Sequence, residues 1–334
     1  MTARSARAGA VLFGGIVLAA IAAPVLIANP PEQQFPGYVQ APPMRPHLRD
    51  DNGRWQRPFV YPLRLVDRLE RRFVEDRSRR VTLRWFAGGR LLSADPAEGP
   101  WLPLGGDALG RDVYSRLLLG SRLSLGVALL ATAGALALGA LVGAIAGFAG
   151  GRLETLLMAL ADFVIVLPVI YVVVALRAAM PLVLSTGIIF WATAAILALA
   201  GWPFAARGVR AIVAVENKKE YAESARAVGA TPWQILHRHL LPAARGFLVA
   251  QGILLVPAFV LAEATLSLVG LGFSEPDSSW GGMLREAGRG RAFAEAPWLL
   301  APAAAIAVTL MALQMLGSGL GDDGSRRVPN LRQL

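Results

Sequence analysis

Six stretches of this chain are apolar over about the length a helix needs to cross a bilayer, roughly 20 residues. They cover residues 8–28, 123–148, 153–177, 182–204, 247–273 and 297–320. Lipid offers no water to backbone polar groups, so such runs must close their hydrogen bonds internally, as helices or in a closed barrel. Their Ala, Leu, Val and Gly content shows no period-2 alternation, which argues against barrel strands. The expected fold class is an all-α integral membrane protein with about six transmembrane helices. Charge content agrees: 17% of residues are charged, against roughly 25% in soluble domains.

The net charge of +10 does not point to nucleic acid. Arginine is spread over polar flanks, and no aromatic-basic stripe appears. Part of this charge is expected to face membrane lipid headgroups. Cysteine is absent, which removes disulfides, thiol chemistry and thiolate-bound metal.

Arg4 and Arg7 precede the first run. A basic start also fits a signal peptide, but the span-like length and the lack of a clear cleavage site favour an uncleaved helix in residues 1–28. The arginines then hold the N-terminus in the cytoplasm. Six crossings return the C-terminal tail, 322–334, to that side. They also place the polar loop 207–245 inside, with Arg207, Arg210, Lys218, Lys219, Arg226, Arg238 and Arg245, as the positive-inside rule requires.

Residues 29–103 read as a small α+β extracytoplasmic insertion between helices 1 and 2. Its Pro-rich opening is extended linker. Leu65, Val66, Leu69 and Phe73 have helical spacing, which predicts a helix over 63–76. Val81, Leu83 and Trp85 alternate within 80–86 and Gly88-Gly89 follows, predicting a strand and a turn, as in a hairpin. Loops beyond about 60 residues cross largely regardless of charge, so the arginines here are no obstacle. The core, 104–321, opens with an amphipathic piece over 107–122. There Asp107 is placed as a helix cap, and Leu109, Val113 and Leu117 share a face at the outer interface. The second run carries Gly126, Gly134, Gly139, Gly143 and Gly147, small residues that let helices approach closely in lipid.

Residues 220–242, EYAESARAVGATPWQILHRHLLP, form a polar island between apolar runs. Residues 220–228 read as helix, stopped by Gly229 where positive φ is cheap. Thr231 and Pro232 restart a helix as cap and first-turn residue. Pro242 breaks the return to the membrane. On these residues alone the island is either a docking surface or an ordinary helical hairpin between spans.

The island resembles the cytoplasmic loop of permease subunits in ATP-binding-cassette importers. Glu223, Ala225, Gly229, Leu241 and Pro242 fall on that family's signature, with Ser224 in place of an alanine. His239 resembles the version in the dipeptide, oligopeptide and nickel branch. Three further stretches resemble that branch. They are residues 103–116 (PLGGDALGRDVYSR), residues 263–272 (EATLSLVGLG) with Ser279-Trp280-Gly281 following, and residues 316–322, where Ser318 and Gly321 depart from the usual pattern. The resemblance covers about residues 101–322.

It implies a type I importer permease that forms half of a pathway for peptides, nickel or related small solutes. The implied partners are a second permease subunit of a different chain, two ATP-binding subunits and an extracytoplasmic substrate-binding protein. The implied location is a bacterial or archaeal cytoplasmic (inner) membrane. Glu220, Glu223, Ala225, Gly229, Leu241 and Pro242 would form the ATPase-docking loop. No cofactor is expected on this chain, since ATP and Mg belong to the ATPase, and no phosphate-cradling G-x-x-x-x-G-K-[ST] motif is present. A non-catalytic transport subunit is expected.

Asp162 and Glu263 are acids inside expected spans, where charge is costly. They have a structural reading and a second one, as ion-coupling groups of a secondary transporter or channel. Pro168 is expected to kink its helix. His237 and His239, two residues apart, point away from each other on a helix and do not share a metal. Trp280 reads as an interface anchor. A membrane enzyme is a third class, but His47 is the only histidine of the insertion, and neither a Ser-His-Asp nor a Cys-His arrangement is present there.

Overall fold

A computed structural model of the chain describes residues 3–50, 53–68, 70–95, 97–167, 171, 174–176, 179, 181, 184–273, 275–277, 279–288 and 295–325. Among these, five helices are long and apolar enough to cross a membrane: Arg4–Leu26, Val113–Ala149, Thr186–Glu216, Arg245–Val269 and Pro297–Gly319. We label the helices α1 (Ala3–Leu26), α2 (Val113–Ala149), α3 (Gly151–Val166), α4 (Thr186–Glu216), α5 (Glu220–Ala227), α6 (Pro232–Ile235), α7 (Arg245–Val269), α8 (Trp280–Ala287) and α9 (Ala301–Ser325). The run expected to span over 153–177 is represented by α3, and Pro168 lies outside the described residues.

Two compact units emerge, with boundaries inside α1, α2, α7 and α9. The first contains residues 1–12, 126–263 and 310–334. Here α2 lies against α4 through a row of glycines. A Cβ on Gly139, Gly143 or Gly147 would sit 2.4–2.6 Å from the nearest atom of Ala205, Ala206 or Arg210. Backbones meet at this distance only where side chains are missing, as expected for helix pairs in lipid. α3 packs on the same α4 through Ala161, Trp202 and Ala206.

The second unit contains residues 13–125 and 264–309. It holds a β-rich segment between α1 and α2. Strands β1 (His47–Arg49), β2 (Trp55–Val60), β5 (Val81–Trp85) and β6 (Leu92–Ala94) form one antiparallel sheet in the order β1-β2-β5-β6. β3 (Leu63–Asp67) and β4 (Arg72–Glu75) form a separate hairpin. Alternate residues Val60, Val81, Leu83 and Ala94 face a core with Ala41, Met44 and Leu102.

The strand expected over 80–86 is β5. The helix expected over 63–76 is the hairpin β3–β4, with Leu65 opposite Phe73. Of the positions with helical spacing only Phe73 reaches the core, together with Leu63, whereas Leu65 and Val66 are exposed and Leu69 lies outside the described residues; Arg64 and Val74 pair on the other face. Arg71 at φ +50 marks the turn between the strands.

The amphipathic piece expected over 107–122 is also different. Residues 107–112 are loop, and α2 starts at Val113 and runs unbroken for 37 residues. Asp112 caps it rather than Asp107: its Oδ1 accepts the Tyr114 backbone N–H at 3.1 Å. Val113 does not lie at an interface. It is buried with Met283, Ala287, Ala296 and Leu299. Trp280 is buried too, at 2% exposure, and donates Nε1–H to the Leu117 carbonyl at 3.1 Å, so it is a core residue and not an anchor.

Candidate functional site

α4 continues through Arg207 and Arg210 to Glu216, so the polar elbow begins at Asn217, later than a break at the end of the apolar run implied. α5 carries Glu220 and Glu223 in its first turn and Arg226 in its last, signs that suit the helix dipole. Its end is a Schellman closure. The Ala230 N–H donates to the Ala225 carbonyl at 3.0 Å and the Gly229 N–H to the Arg226 carbonyl at 3.0 Å. Gly229 stands at φ +85, where a side chain is strained. Ala225 therefore supplies a carbonyl to the closure, and Ala225 and Ala230 both rest on the core below.

Thr231 then starts α6 with a full capping box. Its Oγ1 accepts the Gln234 backbone N–H at 3.3 Å, and Gln234 Oε1 accepts the Thr231 N–H at 2.9 Å. Residues Leu236–Leu240 widen into a π-helix before a last turn, Leu241–Ala243. Pro242 explains the widening. It has no N–H to donate back and its ring crowds the preceding turn, so the Leu241 N–H reaches to Leu236 instead.

The inner side of the elbow is apolar. Ala222, Ile235, Leu236, Leu240 and Ala244 are buried against Ala144 of α2 and Val209 and Val213 of α4, with Leu241 packed alongside. Burying an Ile or Leu side chain contributes about 1.5–3 kcal/mol. Arg226 and Tyr221 tie α5 back to the end of α4. Arg226 Nη1 donates to the Asn217 carbonyl at 3.2 Å, and the Tyr221 hydroxyl donates to Glu216 Oε2 at 2.7 Å. Desolvation, aided by that carboxylate, pushes the Tyr221 phenol up to about 12, so it stays a donor at neutral pH.

The outer side is left open. Val228 is 89% exposed and Trp233 64%, with Glu220, Glu223 and Gly229 exposed between them. His237 stacks on Trp233 at 5.9 Å, whereas His239 sits beside Tyr221 at 6.0 Å, so the two histidines have separate partners. Among the described residues no group of acids and histidines could hold a metal.

The structure separates the two acids singled out in the spans. Asp162 of α3 is half-exposed and paired with Arg207 of α4, whose Nε donates at 2.9 Å. Glu263 of α7 is buried at 1% exposure and has interaction partners.

A second constellation grows from the stretch 103–116. Asp107 Oδ1 accepts the Leu109 and Arg111 N–H groups, each at 2.8 Å, and Oδ2 accepts Arg111 Nε at 2.7 Å. Arg116, 2% exposed, bridges Asp107 and Glu286. Beside them Ser115 accepts the N–H groups of Ala28 (3.0 Å) and Asn29 (3.1 Å), and donates to Asp112. Sequence reading found one side of this network and missed Asn29 and Glu286, because nothing in a linear motif points to partners 83 and 170 residues away.

Five helices long and apolar enough to cross a membrane, with a polar elbow between two of them, define an integral membrane protein. Residues 139–324 match the family described as "Binding-protein-dependent transport system inner membrane component". A putative peptide permease protein of Brucella ovis is 33% identical over 232 residues, 69% of this chain and 74% of that one. The oligopeptide transport system permease protein of Bacillus subtilis is 34% identical over 240 residues, 71% and 75%. A glutathione transport system permease protein of Pectobacterium atrosepticum is 33% identical over 231 residues, 69% and 74%. The chain belongs to the binding-protein-dependent permease family: it is a non-catalytic, inner-membrane subunit of an ATP-binding-cassette importer. That family sets aside the ion-coupled secondary transporter.

Proposed function

We propose that this permease forms half of an uptake pathway for small peptides and that the elbow from Asn217 to Ala243 receives the ATP-binding subunit. The relatives' names supply the substrate class. The observation that carries the docking role is the exposure of Val228 and Trp233 on an elbow otherwise closed by Schellman, capping-box and core contacts. A stiff elbow transmits displacement. Packed interiors do not compress, so a push on Val228 moves Ile235 and Leu240 and with them the ends of α2 and α4. Glu220 and Glu223 present charge to the partner, Ala225 and Gly229 hold the bend, and Leu241 and Pro242 fix its return to α7.

In this reading two ATPases, which carry the ATP and Mg, dock on this chain and on a second, different permease chain. Both termini and the elbow face the cytoplasm, and residues 29–103 face the binding protein's side. ATP-driven closure of the ATPase pair then turns the pathway by rigid-body rocking.

The chain has no cysteine, so a single Val228→Cys gives a clean probe. Its maleimide labelling in inverted vesicles should be fast and should fall when the ATP-binding subunits are added. Labelling that is confined to the opposite side, or unaffected by those subunits, would refute the docking role.

A further inference from the structure

The geometry points to a second membrane contact in this chain: the β5–β6 tip, residues 85–90, as an aromatic anchor in the lipid headgroup layer beside the end of α1. The tip is fastened to the last turn of that span. The Leu91 N–H donates to the Val25 carbonyl at 2.7 Å, and Arg90 Nη1 reaches the Ala28 carbonyl at 3.4 Å. The β-sheet therefore extends down to the level at which an apolar helix leaves the membrane.

The residues at this point are the wrong ones for water. Val81 and Leu83 face the core and are 1% exposed, and Trp85 continues the same alternation past the core's edge at 57% exposure. Phe86 follows at 75% exposure and is held at φ +54, a conformation that bulky residues rarely adopt. Arg90 follows the two rings in sequence, while Arg84 is held on the other face of the strand by Asp95 at 3.2 Å. Aromatic rings set at the boundary with an arginine beside them match the two layers of a membrane interface, apolar edge and phosphate. The surface is continuous with the exposed apolar side of α1, where Leu18 is 66%, Ile21 68% and Val25 48% exposed. We therefore name a phospholipid bilayer as the occupant. Which leaflet it is follows from the proposed orientation of α1, and the contact itself does not depend on that.

The test uses the full chain in the reconstituted transporter, with partner subunits free of accessible cysteine. An environment-sensitive fluorophore is placed at Phe86→Cys, with Trp85→Cys as an independent second probe. Val66→Cys, 57% exposed on the separate β3–β4 hairpin, which makes no backbone hydrogen bond to α1 among the described residues, is the control. Phosphatidylcholine–phosphatidylglycerol vesicles carry spin-labelled lipid quencher, and iodide is the aqueous quencher. The Phe86 and Trp85 probes should be quenched at least threefold more by lipid than by iodide, and the Val66 probe the reverse. Iodide quenching at Phe86 equal to that at Val66 would overturn the anchor. So would protection from both quenchers, which would assign the tip to a protein interface. Quenching only from the cytoplasmic leaflet would uphold the anchor and overturn the orientation alone.

Discussion

Arg116 of α2 grips Glu286 of α8 with two hydrogen bonds, Nη1 to Oε2 at 2.6 Å and Nη2 to Oε1 at 2.8 Å. The arginine side chain is 2% exposed and the glutamate 23%, and both share the cluster with Asp107 and Arg111. A buried pair is not necessarily stabilising against an apolar replacement, but removing Glu286 leaves the buried Arg116 and Arg111 sharing Asp107, a charge imbalance that costs up to about 3–5 kcal/mol. Glu286→Ala should therefore lower the thermal midpoint of the purified chain sharply. Glu275→Ala removes a carboxylate that is 57% exposed and 3.3 Å from Arg111, and should cost less than about 1 kcal/mol. Equal shifts for the two variants would refute the view that burial sets the difference.

Asp112 makes stability depend on pH in the opposite sense to most carboxylates. Burial raises its carboxyl to about 6, against the lowering effect of hydrogen bonds from Ser115 and Asn29. A folded pKa above the unfolded value of 3.8 means that the native state binds more protons between these values, so stability falls as pH rises from about 4 to about 6. The wild-type chain should gain on the order of 1 kcal/mol from this group between pH 6 and pH 5. Asp112→Asn cannot titrate and should lose that increment. Urea or thermal unfolding at the two pH values reads the difference, and identical slopes in both proteins would contradict it.

The seam between α2 and α4 depends on missing side chains. A Cβ at Gly143 would lie 2.4 Å from the Ala206 carbonyl oxygen, backbone that cannot swing aside. Gly143→Val should force the helices apart and cost about 1–3 kcal/mol, with loss of folded yield. Gly187 of the same α4 has open space around its Cβ position. Gly187→Ala should be neutral or stabilising by up to about 1 kcal/mol. Detergent thermal stability distinguishes the two, and a tolerated Gly143→Val would remove the close-packing argument.

Spans and elbow were legible in the sequence because both are local. Length of apolar run, glycine spacing, Thr231-Pro232 and Gly229 each act within a few residues. What failed was what depends on the rest of the fold. Leu65, Val66 and Phe73 fit a helical period, and the core around Val60 and Leu83 instead took up Leu63 and Phe73 from a hairpin. Trp280 has the residue type of an interface anchor, and only the Leu117 carbonyl shows that it is a core residue. Asp107 and Asp112 are both good caps, and the two arginines that occupy Asp107 left the cap to Asp112.

The bend at Gly229 gives the sharpest test of the elbow. Its φ of +85 is accessible to glycine at no cost, to asparagine at a small one, and to other residues at roughly 1–2 kcal/mol. The surface around it is open, so side-chain volume is not the constraint: nothing lies within 4 Å of the Cβ position. Gly229→Asn should then keep most uptake, whereas Gly229→Val should loosen the closure between Ala225 and Ala230 and uncouple ATP hydrolysis from transport. Both variants leave the buried residues Ile235 and Leu240 in place, so membrane insertion and expression should match wild type. The measurement is peptide uptake and ATPase activity in the same proteoliposomes. If valine transported as well as asparagine, the bend would not be what carries force, and the coupling would have to run through the Trp233 side of the elbow instead.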